Sequence, residues 1–343
     1  MSWIKKTFFY IVVLVIMTFI LELGSFALLT ILNKSKQEVF PLNGFMELVD
    51  DARLYTLKKN YLAENTAEAC TDIIQTDELR YRVPPNNLKT DVKKFLFIGD
   101  SVPFGWCVNA EDSLPFKFSK LRPDLAVING AIPSYSLIQA KSRLIIEFEE
   151  IQNLSLIYLQ IYDPAGSYAR FGDKWEVSDN WHTKRIRQSN LCSLIDTQNP
   201  LSKTNFGIVL NKVYKRVIHN NCFFPGTEDS DARYISHIRQ QVQIIKDFTD
   251  KKGATLIVAP VTPSPRGLLM LPPTYKHAIK LTNMTLKNVS KDLGIIFFET
   301  SNFLKDSDFI DDCCHLSGSG AQKVAVGLNQ EIANLLKRTS DME

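Results

Sequence analysis

The stretch Lys93-Lys-Phe-Leu-Phe-Ile-Gly-Asp-Ser-Val-Pro-Phe-Gly-Trp106 combines a short apolar segment with a sharp turn. Phe95 to Ile98 carry aromatic and branched side chains without a polar interruption, which predicts a buried strand of a parallel sheet. The Gly99-Asp100-Ser101 sequence that follows is typical of a tight turn. Open α/β sheets bind their ligands beyond the carboxyl ends of the strands, so Ser101 is a candidate catalytic residue.

A serine becomes a strong nucleophile only when a base removes its proton, and that base is usually a histidine oriented by a carboxylate. The segment Asp311-Asp-Cys-Cys-His-Leu-Ser-Gly-Ser-Gly320 near the other end of the chain contains both residue types. It runs directly into a helical pattern. The alternative is structural: Asp100 and Ser101 would cap a turn, and Asp312 and Ser317 would cap the last helix.

These two segments together resemble the SGNH (GDSL-type) hydrolase superfamily over about residues 90–338. The Gly-Asp-Ser block that follows the first strand is matched by Gly99-Asp100-Ser101. The Asp-x-x-His block before the last helix is matched by Asp312-Cys-Cys-His315. The resemblance implies that Ser101 is the nucleophile, that His315 is its base and that Asp312 orients the histidine.

The resemblance also implies an oxyanion hole made partly of backbone N–H groups. One N–H would come from Ser101, and another from the residue that follows the second strand. That strand is predicted over Leu125 to Asn129, so either Gly130 or Ala131 would supply the second donor.

The third block departs from the family pattern. A strand is predicted over Leu154 to Ile161, and relatives normally place an Asn-Asp pair after it, with the Asn side chain donating to the oxyanion. This chain has Tyr162-Asp163 there, which leaves Gln160 or Tyr162 as the candidate donor. Loss of one oxyanion donor typically lowers turnover by ~10²–10³-fold, so this departure bears directly on activity.

Strands and helices alternate along the rest of the chain. This order predicts a three-layer α/β/α sandwich with right-handed crossovers, resembling flavodoxin, with a parallel sheet of about five strands. An insertion rich in aromatic and basic residues interrupts it over 164–225. The further predicted strands are Ala254–Pro260 and Ile295–Glu299, and the predicted helices are Ser136–Glu150, Ser230–Lys252, Tyr275–Leu293 and Leu316–Leu336.

The N-terminal residues predict a membrane anchor over 1–32. Thr7 to Leu32 are almost entirely apolar and exceed the ~20 residues needed to span a bilayer, and no convincing signal-peptidase site follows. Residues 33–90 are interpreted as a linker with a helical lead-in, since Phe45 to Leu62 has an amphipathic helical pattern. The catalytic domain would occupy 91–338.

Composition excludes several classes of function. The chain has 40 basic and 37 acidic residues, a net charge of +3, and no basic stripe with interleaved aromatics, so no nucleic-acid partner is predicted. It contains no Gly-x-Gly-x-x-Gly motif, which argues against a nucleotide cofactor. With only 5 histidines and no Cys-x-x-Cys, no metal site is expected either.

Six cysteines are compatible with an oxidising compartment, although buried unpaired thiols remain an alternative. Cys107 follows the nucleophile turn, and Cys313-Cys314 immediately precede His315. The two catalytic loops must meet, so we predict a disulfide between Cys107 and one of the pair. A bond between Cys313 and Cys314 themselves is disfavoured, because adjacent residues reach disulfide geometry only with strain.

The predicted function is that of a serine esterase or O-acyl(acetyl)transferase acting on an ester of an envelope glycan, with the catalytic domain outside the cytoplasm. Two alternatives remain open. One is a lipid or thioester hydrolase that uses the same triad. The other is a catalytically impaired protein that binds glycan or works with partner proteins of envelope assembly.

Overall fold

The computed structural model describes Met17 and residues 44–49, 51, 53, 55–64, 70, 72–83, 92–161, 228–271 and 273–340. All of these except Met17 belong to one compact unit. The predicted anchor over 1–32, Met17 apart, and the predicted insertion over 164–225 lie outside the described residues. Within the described ranges, no helix is both long enough and apolar enough to cross a bilayer.

The segment before the central sheet forms two short antiparallel hairpins. Strand β1 (Met46–Leu48) pairs with β2 (Tyr55–Leu57), and β3 (Leu62–Glu64) pairs with β4 (Ile73–Gln75). The helix predicted over 45–62 is therefore wrong. Tyr55 and Leu57 are buried in an extended strand, and Asn60 adopts a positive φ of 50° that a helix cannot accommodate.

A five-stranded parallel sheet forms the centre of the unit, as predicted. The order of its strands in space is β6-β5-β7-β8-β9. The chain enters the sheet at β5, forms the edge strand β6 next, and then crosses over β5 to add β7, β8 and β9 on its other side. This is the strand order of flavodoxin-like folds. The strands are β5 (Lys94–Gly99), β6 (Ala126–Asn129), β7 (Leu154–Ile161), β8 (Thr255–Pro260) and β9 (Ile296–Phe297).

Helices cover both faces of this sheet. Helices α2 and α7 pack on each other on one face, while α3, α4 and α6 pack together on the opposite face. The core under α2 and α7 includes Phe95, Phe97 and Tyr158 from the sheet. The helices are α1 (Ser101–Phe104), α2 (Leu114–Leu121), α3 (Leu137–Glu147), α4 (Glu228–Lys251), α5 (Pro265–Met270), α6 (Pro273–Asp292) and α7 (Gly318–Ser340).

The strand order determines where a site can form. Strand β5 lies between β6 and β7. The chain passes from β5 to β6 on one side of it and then enters β7 on the other side. Crossovers on opposite sides open a crevice at the carboxyl end of such a strand. Ser101 stands directly after β5, at this position.

Candidate active site

The turn that carries Ser101 is held by close backbone contacts. Gly99 has φ +147°, and a Cβ there would lie 1.8 Å from the carbonyl oxygen of Gln160, so only glycine fits. The buried Asp100 accepts a hydrogen bond from the N–H of Val102 at 3.0 Å and caps α1. Gly105, in the left-handed region at φ +82°, ends this helix after one turn. Ser101 is therefore presented at the start of a short, tightly fixed helix.

Ser101 and His315 meet as predicted from the sequence. The Oγ atom of Ser101 lies 2.9 Å from Nε2 of His315. On the other side of the imidazole ring, Nδ1 lies 2.5 Å from Oδ2 of Asp311. An N–H at Nδ1 that donates to this carboxylate leaves Nε2 with its lone pair directed at the serine hydroxyl.

The prediction that Asp312 orients the histidine is wrong in this geometry, because its neighbour Asp311 occupies that place. Asp312 turns outward and forms an ion pair with Arg266 of α5. Oδ1 of Asp311 accepts three backbone hydrogen bonds from its own loop, at 3.0 to 3.2 Å; the donors are the N–H groups of Cys313, Cys314 and His315. This ring of donors fixes Asp311, and not Asp312, against the imidazole.

The electrostatics of the pair favour a charged acid beside a basic histidine. Burial alone would lower the pKa of His315, but the hydrogen bond and the charge of Asp311 outweigh it and raise that pKa. Burial likewise tends to raise the pKa of Asp311, and the hydrogen bonds and charge of His315 reverse this and lower it. Asp311 thus stays ionised while His315 becomes a stronger base than an exposed imidazole.

Two of the predicted oxyanion donors lie after β6. The N–H of Gly130 donates to the carbonyl of Phe97 at 2.8 Å, so it is occupied by the sheet and the prediction for Gly130 is wrong. The glycine at position 130 is instead explained by packing, because a Cβ atom there would lie 2.7 Å from the ring of Phe148. Among the described residues, the N–H of Ala131 has a single contact, at 3.3 Å with Oδ1 of Asn129. Ala131 therefore remains the candidate donor on this segment.

The N–H of Ser101 itself has no acceptor among the described residues. The side chain of Gln160 is buried and donates to the carbonyl of Pro260 at 3.0 Å, so it joins the ends of β7 and β8. No hydrogen bond within the described part of the chain connects Gln160 with Ser101 or His315. Tyr162, the other predicted donor of the third block, lies outside the described residues.

The cysteine pairing predicted for the two catalytic loops is also wrong. Cys107 forms a disulfide with Cys70, while Cys313 and Cys314 are free thiols. Cys107 adopts a positive φ of 61° just after the nucleophile helix, and its side chain meets the lead-in segment. The bridge therefore ties the nucleophile turn to residues that precede the sheet.

Arg82 supports the nucleophile turn from a buried position, a role that the sequence did not indicate. Its guanidinium is fully buried beside Asp72, with side-chain exposures of 0% and 1% for the two partners. It donates to the carbonyls of Phe104 at 2.8 Å and Val108 at 2.6 Å, and also to that of Gly105. Burial lowers the pKa of Arg82 to about 10, although the charge of Asp72 opposes the shift. Arg82 therefore fixes the end of α1 from outside the sheet.

A signal for Cys70 existed in the sequence, since it is one of six cysteines and therefore a candidate partner for Cys107. No local pattern distinguished Arg82 from Arg80, because burial against three carbonyls is a long-range property. Among the described residues, no group of three or more His, Cys, Asp or Glu side chains is arranged to hold a metal ion.

No protein-family model and no curated protein matches this chain. The solved structures that match it include the M. smegmatis aryl esterase, with 11% identity, 71% of this chain and 100% of that chain covered, and a TM-score of 0.43. A carbohydrate acetylesterase from Sinorhizobium meliloti matches at 10% identity over 71% of this chain and 99% of the other, with a TM-score of 0.44. A GDSL-like lipase from Bacteroides thetaiotaomicron matches at 11% identity, 72% and 93% coverage, and a TM-score of 0.44. These three structures are an aryl esterase, a carbohydrate acetylesterase and a GDSL-like lipase. The chemistry open to the present site is derived from the contacts of Ser101, His315 and Asp311 alone.

Proposed function

We propose that this protein is an SGNH-type serine hydrolase that cleaves carboxylic esters through Ser101, His315 and Asp311. The observation that carries the proposal is the continuous chain of contacts from the Ser101 hydroxyl through both ring nitrogens of His315 to the Asp311 carboxylate. If these residues only capped a turn and a helix, Ser101 and His315 would not need to lie in contact. A catalytic nucleophile, its base and an orienting acid must lie in contact.

In the proposed mechanism, Oγ of Ser101 attacks the ester carbonyl while its proton moves to Nε2 of His315. The negative charge that develops on the carbonyl oxygen accepts hydrogen bonds from the N–H groups of Ser101 and Ala131. Collapse of the tetrahedral intermediate releases the alcohol, which takes the proton from His315. An acyl acceptor then attacks the acyl-enzyme as its proton moves to the same nitrogen, and collapse of this second intermediate breaks the bond to Oγ of Ser101, which takes the proton back from His315. Water as that acceptor makes the protein an esterase, and a sugar hydroxyl makes it an O-acyltransferase.

The finer proposal is that the substrate is an O-acetyl or related ester of an envelope glycan, processed by a membrane-anchored domain outside the cytoplasm. The predicted apolar span over 7–32 supports the anchor. The disulfide between Cys70 and Cys107 supports an oxidising compartment, because such bonds are rare in the cytosol. Partner proteins of envelope assembly fit the same location.

A fluorophosphonate probe tests the central proposal, since it labels only an activated serine. We expect labelling of the purified full chain at Ser101, mapped by mass spectrometry, and none in Ser101→Ala. A panel of esters with acetyl and longer acyl groups should show turnover that is highest for acetyl. An unlabelled, folded protein without turnover would instead support the binding or assembly role. Preference for long acyl chains would favour the lipid hydrolase.

A further inference from the structure

The loop that carries the histidine also carries two adjacent thiols that the proposed mechanism does not use. Cys313 and Cys314 are free, and their Sγ atoms lie 2.9 Å apart. Cys313 is half-buried, whereas Cys314 is only 2% exposed and belongs to the core beneath α7. The thiol of Cys313 is therefore accessible to a reagent in solution, whereas the thiol of Cys314 is shielded from it.

We propose that Cys313 and Cys314 form a dithiol–disulfide exchange site, and that its oxidation by small or protein disulfides inactivates the adjacent catalytic site. The inactivation half of this inference rests on the proposed hydrolase function. The exchange half does not, because it concerns the two sulfurs alone.

The exchange proceeds in two displacements. The thiolate of Cys313 attacks one sulfur of the incoming disulfide, forms a mixed disulfide and releases one thiolate. The thiol of Cys314 attacks Sγ of Cys313 as its proton passes to the thiolate released in the first step, and the second thiolate leaves and takes a proton from water. The pair loses two electrons and two protons, and the incoming disulfide is reduced to two thiols.

The environment assigns these two roles to the right residues. The hydrogen bond from Cys314 lowers the pKa of Cys313, and His315 acts in the same direction. The same hydrogen bond and burial raise the pKa of Cys314. The half-buried thiol is therefore the one that ionises and attacks, while the buried thiol waits as the resolving group.

The product would be a strained and readily reversed disulfide. Disulfides normally join Cα atoms that are ~4.4–6.8 Å apart, whereas adjacent Cα atoms across a trans peptide are ~3.8 Å apart. Strained disulfides have more oxidising potentials and are reduced more easily than structural ones. The strain that argues against a permanent bridge at this position therefore favours a reversible one.

A disulfide between Cys313 and Cys314 closes a small ring through their shared peptide bond, and this must alter the backbone that fixes Asp311. The N–H groups of Cys313 and Cys314 both donate to Oδ1 of Asp311. The carbonyl of Cys313 accepts from the N–H of Ser264 at 2.7 Å on the opposite side of the loop. A ring through the peptide between the two cysteines rotates these groups, so Asp311 and His315 lose their alignment. A displacement of ~1 Å in a catalytic group can lower the rate about 10²-fold.

The test equilibrates the purified full chain with glutathione redox buffers, from fully reduced to fully oxidised. At each potential, acetyl-ester turnover is measured and the cysteines are mapped by mass spectrometry without reductant. We expect a disulfide between Cys313 and Cys314 to form and kcat/KM to fall about 10²-fold with the same midpoint. Dithiothreitol should restore the activity at concentrations that leave the disulfide between Cys70 and Cys107 intact.

Cys313→Ser provides the matched control, because it keeps the backbone N–H and removes one sulfur. Whatever its activity, the ratio of oxidised to reduced turnover should be close to one. The proposal is overturned if no Cys313–Cys314 disulfide forms at any potential, or if Cys313 stops at a mixed disulfide. It is also overturned if the mapped disulfide leaves turnover unchanged, or if Cys313→Ser loses activity on oxidation as the natural chain does. Absence of turnover in the fully reduced chain would contradict the proposed function, while the mapping would still test the exchange.

Discussion

The nucleophile turn, residues 99–107, and the histidine loop, residues 311–315, meet at one point but are held in different ways. The nucleophile turn is fastened from outside itself, by buried Arg82 and by the disulfide between Cys70 and Cys107. The histidine loop is held mainly from within, by the Asp311 carboxylate that accepts three of the loop's own N–H groups, with one backbone hydrogen bond from Ser264 outside it. Its external ion pair, between Asp312 and Arg266, lies at the surface.

This difference predicts which substitutions should mainly lower stability and which should mainly lower turnover. Removing a support of the nucleophile turn breaks a buried ion pair, buried hydrogen bonds or a covalent crosslink, so the cost falls on the free energy of unfolding of the whole unit. Removing a support of the histidine loop leaves the core packed and changes the orientation and basicity of one imidazole. We therefore expect changes on the two sides to produce different signatures, one in unfolding and one in turnover.

The largest expected effect breaks the contact between the two loops. Ser101→Ala and His315→Ala should each lower acetyl-ester turnover by up to about 10⁶-fold, with little change in melting temperature. Because nucleophile and base act as a unit, the double variant should be hardly worse than either single one. Steady-state kinetics together with thermal unfolding measure this. Wild-type turnover in Ser101→Ala would show that the assignment is wrong.

The next effect compares the two adjacent carboxylates. Asp311→Asn should lower kcat by about 10²–10⁴-fold, because it removes the charge that stabilises the imidazolium and the acceptor that fixes the tautomer. Asp312→Asn removes only a surface ion pair and should change kcat by less than about tenfold. Equal losses in both variants, or the reverse order, would contradict the geometry of the histidine loop.

A third effect should appear in stability. Arg82→Met breaks the buried ion pair with Asp72 and removes the donor to the carbonyls of Phe104, Gly105 and Val108, so we expect a loss of about 3–5 kcal/mol in the free energy of unfolding. Arg266→Met is the matched control on the histidine side. It breaks an exposed ion pair and should cost less than about 1 kcal/mol. Urea denaturation of both variants measures the difference, and similar midpoints would remove the distinction between the two loops.

The smallest expected effect is a shift in pH dependence. His315 accepts a proton only when neutral, so activity should rise with pH through its pKa, which Asp311 raises above the usual ~6.5. In Asp311→Asn the charge is gone and burial dominates, so the acid limb of kcat/KM should move to lower pH. The same limb should stay in place in Asp312→Asn. A limb that does not move in Asp311→Asn would show that another group controls the protonation of His315.

The sequence was sufficient for the sheet and for the pairing of Ser101 with His315, because both have local signals. A buried parallel strand is a continuous apolar run, and a Gly-Asp-Ser turn at its end is visible in a few residues. The choice between Asp311 and Asp312 had no such signal. The Asp-x-x-His spacing selects Asp312, whereas the loop closes around Asp311, four residues before the histidine.

The residues before β5 were harder to interpret for the same reason. Residues 45–62 contain apolar positions that fit a helical period, yet Tyr55 and Leu57 are buried in short strands by contacts made elsewhere in the chain. Arg82 and the partner of Cys107 are determined entirely by such distant contacts. Single-sequence patterns describe a residue's neighbours along the chain, and these features depend on neighbours in space.

The packing of α7 on α2 determines when the proposed catalytic site can form during synthesis and folding. Leu114 and Phe118 of α2 share one core with Val324 and Leu328 of α7, and α7 begins just after His315. A nascent chain that has emerged only through β8 thus has its serine but lacks its base. The proposed site is complete only when α7 packs on α2, a contact of long sequence separation that we expect to form slowly. A chain in which α7 is missing or unpacked would therefore carry Ser101 without its base, so activity of the proposed site would report that α7 had packed on α2.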